Sequence, residues 1–154
     1  MTLFADTNWL VAAYFIRQEA SRTAIVERFT RKHGAPWVVS QVVLLEARNV
    51  FGWVSRTTMP AEWERLESDL GGRIFVDTMQ WDMVRQKTLE LFGRYSHKAA
   101  VGSFEAVLVA SALLTGATHF LSFDGRAKSL AAAERLAVYP ELTPAEKALL
   151  LKLR

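Results

Sequence analysis

Short, mostly apolar runs recur along the chain and alternate with longer segments in which apolar residues are three or four positions apart. The short runs lie at residues 3–5, 37–39, 74–76, 119–122 and, less distinctly, 136–139. Runs of this length are typical of strands buried on both faces, whereas the wider spacing is typical of amphipathic helices. Since parallel strands need helical crossovers, the alternation predicts a three-layer α/β/α fold with a central parallel sheet of about five strands.

The segments between the strands predict helices with one buried face. They span about residues 7–15, 21–32, 42–53, 60–70, 78–95, 104–115 and 127–134. Ser103 is suited to cap the helix that follows it, and Gly116 is suited to end that helix in a left-handed conformation. In the helix of residues 78–95, Val84, Leu89 and Phe92 are predicted to face the core.

The end of the chain carries a separate helix signal. Thr143, Pro144 and Glu146 form a capping-box pattern ahead of a leucine-rich segment. Only the part after Pro140 looks separable, and 154 residues fit one core. We therefore expect one domain over residues 1–140 and a helical tail, residues 141–154, packed on the same domain.

Composition narrows the class of protein. No apolar run approaches the roughly 18 residues of a membrane span, and no basic segment or cleavage pattern marks a secretory signal at the N-terminus. The absence of cysteine excludes disulfides and thiolate metal sites, which fits a reducing compartment. We expect a cytoplasmic protein without membrane contact, and the net charge of +3 weakly favours a polyanionic partner.

Two aspartates directly follow predicted strands. Asp6 comes after the first strand and Asp124 after the fourth. Ligands of open α/β sheets bind at the carboxyl ends of the strands, so both positions are candidates for a functional site. The structural alternative is that each aspartate only caps the next helix or forms a turn.

Two glutamates lie in otherwise apolar helical segments. Glu46 is surrounded at helical spacing by apolar residues, and a carboxylate on such a face needs a partner, a proton or a metal. An ion pair with Arg48 or a neighbouring basic residue is the structural alternative, but Arg48 is two positions away and points to a different side of the helix. Glu105 lies in a first helical turn, where the helix dipole alone favours an acid.

The chemistry of four such acids favours a hard divalent cation. Clustered carboxylates repel each other and raise their own pKa values unless a cation neutralises them, and oxygen-only ligands suit Mg²⁺ or Mn²⁺. His33, His97 and His119 are far apart in the sequence, so no zinc site is predicted. The chain also lacks the glycine-rich phosphate loops of nucleotide-dependent enzymes, which argues against a small-molecule α/β enzyme of that kind.

An ordered set of segments resembles the PIN domain family, especially the VapC-type toxins. The segments are Asp6-Thr7-Asn8, residues 40–46, residues 103–113 and residues 116–124, and the likeness covers about residues 1–140. It implies a PIN-like fold and a pocket formed by four acids, Asp6, Glu46, Glu105 and Asp124. Thr7, Asn8 and Ser122 would support that pocket.

The resemblance also implies a function. Proteins of this kind are Mg²⁺-dependent (or Mn²⁺-dependent) endoribonucleases, the toxin components of type II toxin–antitoxin systems. They commonly form homodimers and are silenced by a small antitoxin protein. One departure matters: the family usually has aspartate where this chain has Glu105, one methylene longer. A catalytically weakened PIN-fold module that binds RNA or protein without cutting is therefore the second interpretation.

Basic and aromatic residues supply candidates for RNA contact. Arg126 and Lys128 lie closest to a predicted strand end and are the first candidates to contact the RNA backbone. Other basic residues could also hold that backbone, with a solvated surface as the alternative: Arg17, Arg22, Arg28, Arg31, Lys32, Arg94 and Lys98. Trp9, beside the acidic turn, is a candidate for stacking on a base, with core packing as the alternative.

Overall fold

A five-stranded sheet forms the centre of the computed structural model, which describes residues 1–34 and 36–154. The strands are β1 (Leu3–Ala5), β2 (Trp37–Val39), β3 (Ile74–Val76), β4 (His119–Leu121) and β5 (Ala137–Tyr139). They are ordered β3-β2-β1-β4-β5, and every neighbouring pair is parallel. The predicted α/β fold with a central parallel sheet is confirmed.

Helices connect and cover the strands throughout the described part of the chain. They are α1 (Thr7–Tyr14), α2 (Ala20–His33), α3 (Gln41–Ser55), α4 (Ala61–Asp69), α5 (Trp81–Tyr95), α6 (Ser103–Leu114), α7 (Gly125–Ala133) and α8 (Pro144–Leu153). Helices α1–α4 contact one another, as do α5–α8, so the sheet lies between two helical groups. None of the described helices combines the length and hydropathy needed to cross a membrane.

Two local predictions are wrong, and one is confirmed. The N-cap of α6 is Gly102, and Ser103 is already its first helical residue. Leu89 is 60% exposed, whereas Val84 on the same helix is buried. Residues five apart lie about 140° apart around a helix, so both cannot face the core. Gly116 has φ +71° just beyond the end of α6, as predicted.

The two central strands bring distant parts of the chain to one edge of the sheet. Phe4 and Phe120, from β1 and β4, are fully buried and stack with ring centroids 5.7 Å apart. Because these strands are parallel neighbours, their carboxyl ends meet, and the N–H of Asp6 donates to the carbonyl of Leu121 at 3.0 Å. Helix α3 starts just after β2 and therefore leaves from the same edge.

Helix α8 packs against α7 through a buried ion pair. Lys128 Nζ lies 2.7 Å from Glu146 Oε1 and also donates to the carbonyl of Pro140 at 3.2 Å. Glu146 and Thr143 additionally form the predicted capping box of α8. Lys128 is only 4% exposed. The prediction that Lys128 contacts RNA is therefore wrong, because its charge is already paired inside the protein.

Candidate active site

One pocket of about 250 Å³ collects all four acids predicted from the sequence. Asp6, Glu46, Glu105 and Asp124 line it together. They come from the ends of β1 and β4 and from the helices α3 and α6. The structure thus brings these four side chains to a single cavity although almost 120 residues separate the first from the last.

Asp6 is the most buried of the four acids, with 4% of its surface exposed. It caps α1, and its Oδ1 accepts the backbone N–H of Thr7 at 2.7 Å. Its Oδ2 accepts the hydroxyl of Ser122 at 2.7 Å and, more weakly, the amide of Asn8 at 3.5 Å. These three donors fix the orientation of the carboxylate.

The supporting residues tie the end of β1 to the end of β4. While the Ser122 hydroxyl donates to Asp6, its oxygen accepts the backbone N–H of Asp124 at 2.9 Å. Asn8 Oδ1 accepts the backbone N–H of Phe123 at 2.8 Å. Asn8 and Ser122 therefore set the relative position of the two aspartates.

Asp124 caps a helix, which was the structural alternative to a functional role, but capping uses only one of its two carboxylate oxygens. Its Oδ1 accepts the backbone N–H groups of Arg126 at 2.9 Å and Ala127 at 3.1 Å, and so caps α7. Its Oδ2 accepts no hydrogen bond from the part of the chain that the structure describes. A helix cap and a metal ligand are compatible in this residue.

Glu46 is half-buried and does not pair with Arg48, whose Nη2 donates to the carbonyl of Thr58 at 2.9 Å. Among the described residues no basic side chain forms an ion pair with Glu46, so the ion-pair alternative is excluded. Burial raises the pKa of Glu46, and the charges of Glu105 and Asp124 raise it further. The Thr7 hydroxyl opposes this rise, although the two side chains form no hydrogen bond of ordinary length and angle.

Glu105 folds back over the start of its own helix. A Cβ placed on Gly102 would lie 1.8 Å from Glu105 Oε2, so the carboxylate occupies the space that a side chain at position 102 would need. Glu105 is the third residue of α6, from which a glutamate can reach back towards the cap. The glycine therefore makes room for this conformation.

The aromatic and basic candidates for RNA contact differ in where they lie relative to the pocket. Trp9 is fully buried and contacts the rings of Phe29 and Trp37 edge-on, so core packing and not base stacking is its role. Arg126 is exposed and its backbone N–H donates to Asp124 Oδ1 at 2.9 Å, so a contact of its side chain with RNA stays a prediction. Arg22 lines the pocket instead, a role that depends on the fold and that the sequence alone did not single out.

Comparison with known proteins identifies the family. The profile of the PIN domain family matches residues 3–133. The chain belongs to the PIN domain family. The crystal structure of Mycobacterium tuberculosis VapC20, a sarcin-ricin loop cleaving toxin, is similar with a TM-score of 0.62 and 16% identity, over 82% of this chain and 92% of that one. No curated protein sequence matches the chain.

This PIN domain is not arranged as a ready-formed metal site. Among the described residues, no three His, Asp or Glu side chains stand at metal-ligating distances from one another. Asp6, Glu46 and Asp124 share the pocket, but their side chains do not form such a group. Glu105 contributes to this arrangement, because its carboxylate lies over Gly102.

The donor set nevertheless fits a hard divalent cation. All four acids offer oxygen, which Mg²⁺ and Mn²⁺ prefer. Burial is the main cause that raises the pKa of Asp6 to about 6, and the charges of Glu46 and Asp124 add to it, against the hydrogen bonds from Ser122 and Thr7. The buried Thr7 hydroxyl, which has no hydrogen-bond partner within residues 1–34 and 36–154, offers a further oxygen beside these acids. A cation would relieve this excess of negative charge.

The pKa of Asp6 predicts how the stability of the metal-free protein depends on pH. The folded state binds this proton more tightly, at about 6, than the unfolded chain does, at 3.8. The free energy of unfolding should therefore fall as pH rises from about 4 to about 6 and level off above. Urea denaturation in the presence of a chelator measures this. A contribution from Asp6 is refuted if the Asp6→Asn variant shows the same slope as the parent.

Proposed function

We propose that this PIN domain is a metal-dependent endoribonuclease and the toxin component of a type II toxin–antitoxin system. The observation that carries the proposal is the convergence of four acids on one pocket at the carboxyl edge of the sheet, in a PIN domain. Similarity in fold to VapC20, described as a toxin that cleaves the sarcin-ricin loop, supports RNA as the substrate class. A cytoplasmic location fits such a substrate.

Asp6, Glu46 and Asp124 are the residues proposed to hold Mg²⁺ or Mn²⁺. When bound, the metal supplies an acidified water and neutralises charge on the phosphodiester. Asp6 keeps about one lone-pair site beyond its three hydrogen bonds, and Asp124 keeps one oxygen that no described donor contacts. Ser122 and Asn8 hold these two carboxylates in register, which limits the reorganisation needed on binding.

The direct test is cleavage of total cellular RNA by the purified protein. We expect cleavage with Mg²⁺ or Mn²⁺ and none after chelation. If RNA is bound but never cut under either condition, the enzyme proposal fails and the second interpretation, a PIN-fold binding module, takes its place. The folded-back Glu105 is the observation that favours this second candidate.

Two partners belong to the proposal: a small antitoxin protein and a second copy of the chain. Large apolar side chains on the outer side of α3 support protein contacts, since Leu45 and Trp53 are both largely exposed. A homodimer would scatter light with about twice the mass of 17.3 kDa. A short reading frame for a DNA-binding protein next to the gene would support the antitoxin.

Glu105 is proposed to serve the metal site through a bound water, because ligand distances to Mg²⁺ are strict and its carboxylate rests over Gly102. Glu105→Asp should keep or raise cleavage at limiting Mg²⁺. Glu105→Gln should lower Mg²⁺ affinity about tenfold, the lower end for residues that support a metal site. Calorimetric titration with Mg²⁺ and initial cleavage rates measure both effects.

Glu19→Gln is the matched control, since Glu19 lines the same pocket without being one of the four acids. It should leave Mg²⁺ affinity close to that of the parent. If Glu105→Gln cuts RNA as fast as the parent at limiting Mg²⁺, Glu105 only stabilises the start of α6.

A further inference from the structure

A single basic side chain lines the acidic pocket within the described chain. Arg22, from the first turn of α2, shares the pocket wall with the four acids. It is exposed to solvent and makes no ion pair with them or with Glu19 among the described residues. Its hydrogen-bond donors are therefore free to meet a ligand.

The guanidinium of Arg22 is held in place by an aromatic stack. Its Cζ lies 4.9 Å from the centroid of the Phe123 ring. Phe123 in turn stacks on Trp9, with centroids 5.5 Å apart and planes inclined by 20°. Trp9 is fully buried, and the Phe123 backbone is fixed by Asn8. This cation–π contact, worth about 0.5–1 kcal/mol at an exposed site, favours a position of the Arg22 guanidinium beside Phe123.

The negative charge of the pocket opposes RNA binding, and Arg22 supplies a positive charge at the same place. Five carboxylates, those of the four acids and of Glu19, line the pocket and repel the phosphates of an RNA strand, and a metal compensates only at the point where it binds. A guanidinium presents several donors in a fixed plane that match two phosphate oxygens, and stacking on a ring leaves those donors free. The other candidates are less well placed, because Lys128 is paired with Glu146 and the Arg126 side chain does not line the pocket.

We propose that Arg22 binds a backbone phosphate of the RNA at the entrance of the pocket. This inference rests on the proposed function and adds the residue that places the strand beside the acids. Arg22 acts on RNA binding and on the alignment of the strand, and it takes no part in holding metal.

The test uses Arg22→Gln, Arg22→Lys and the matched control Arg28→Gln, which removes the same charge from an exposed position of the same helix outside the pocket. Binding of a fluorescein-labelled, mixed-sequence single-stranded RNA is measured with chelator present, at several salt concentrations. Arg22→Gln should weaken binding about tenfold, as expected for loss of a charge-assisted hydrogen bond, and Arg28→Gln much less. Arg22→Lys should recover part of the loss.

The salt dependence provides a second readout. Loss of one phosphate contact should reduce the slope of log affinity against log salt by about 0.7 for single-stranded RNA. Equal effects of Arg22→Gln and Arg28→Gln on affinity and slope would overturn the inference, because they would show only the general charge of α2.

The cleavage assay separates this inference from the proposed function. In metal-loaded protein, Arg22→Gln should slow cleavage at limiting RNA far more than at saturating RNA. If the parent cleaves RNA and the Arg22 and Arg28 variants do not differ, the role of Arg22 is refuted and the nuclease proposal stands. Arg22-dependent RNA binding without any cleavage by the parent sinks the nuclease proposal and leaves the phosphate contact standing.

Discussion

Replacing Asp6 with asparagine is expected to abolish metal-dependent RNA cleavage and, at the same time, to stabilise the metal-free protein at pH 7. Loss of a metal ligand should cost more than the 10–100-fold typical of residues that only support ligands, so we expect a loss of at least about 100-fold. The folded protein carries Asp6 with a pKa near 6, and a neutral amide removes the cost of ionising it in a buried position.

The gain in stability should be about 2 kcal/mol. A pKa difference of about two units corresponds to nearly 3 kcal/mol, and the weaker hydrogen bond from Ser122 to an amide offsets about 1 kcal/mol. Urea denaturation with chelator measures this difference. The urea denaturation is then repeated with Mg²⁺. A ligand that binds only the folded state stabilises it, so Mg²⁺ should stabilise the parent but not the variant, which lacks a proposed metal ligand.

Asp77→Asn is the matched control for Asp6→Asn. Asp77 directly follows β3, so it also lies at the carboxyl end of a strand, but it does not line the pocket. We expect normal cleavage and an unchanged response to Mg²⁺ from this variant. Rapid cleavage by the Asp6→Asn variant would move the chemistry away from the pocket.

The second large effect concerns the ion pair between α7 and α8. Replacing Lys128 with methionine keeps most of the aliphatic packing but leaves the Glu146 carboxylate without its cation. Breaking a buried pair on one side typically costs about 3–5 kcal/mol, and we expect about 3 kcal/mol because the Glu146 side chain is 13% exposed. The free energy of unfolding from denaturant titration measures this loss.

Two further variants locate the cause of that loss. Lys147→Met removes a charge from an exposed position of α8 and should change stability little. The double variant Lys128→Met with Glu146→Gln should recover part of the stability, since no uncompensated carboxylate remains. A double variant less stable than Lys128→Met alone would contradict an uncompensated charge as the cause.

Local sequence patterns were enough to predict the sheet and four of the five acids that line the pocket, Glu19 being the exception. Asp6 and Asp124 follow apolar strands directly, and parallel strands end at one edge, so their shared location follows from the order of elements. Glu46 was recognised because its helical neighbours are apolar. These signals act over a few residues, which is why they are visible in a single chain.

The side-chain positions that local patterns do not predict depend on partners elsewhere in the chain. Lys128 reads as an exposed base near a strand end, but its partner Glu146 comes from the next helix. Arg22 owes its position to Phe123, about 100 residues later. The conformation of Glu105 depends on a glycine three positions earlier, which carries no apolar or charge signal. Long-range packing therefore decided what local patterns could not.

The tail beyond the family match has a consequence for where the folding unit ends. The PIN profile stops at residue 133, yet Lys128 takes its oxygen partners from Pro140, Glu141 and Glu146. A fragment that ends at residue 133 would lose the edge strand β5. It would also lose the oxygen partners of the Lys128 ammonium group, four residues after Asp124. We therefore expect the cooperative unit to extend beyond the recognisable family, because the contacts of Lys128 join the helix capped by Asp124 to the residues after 133.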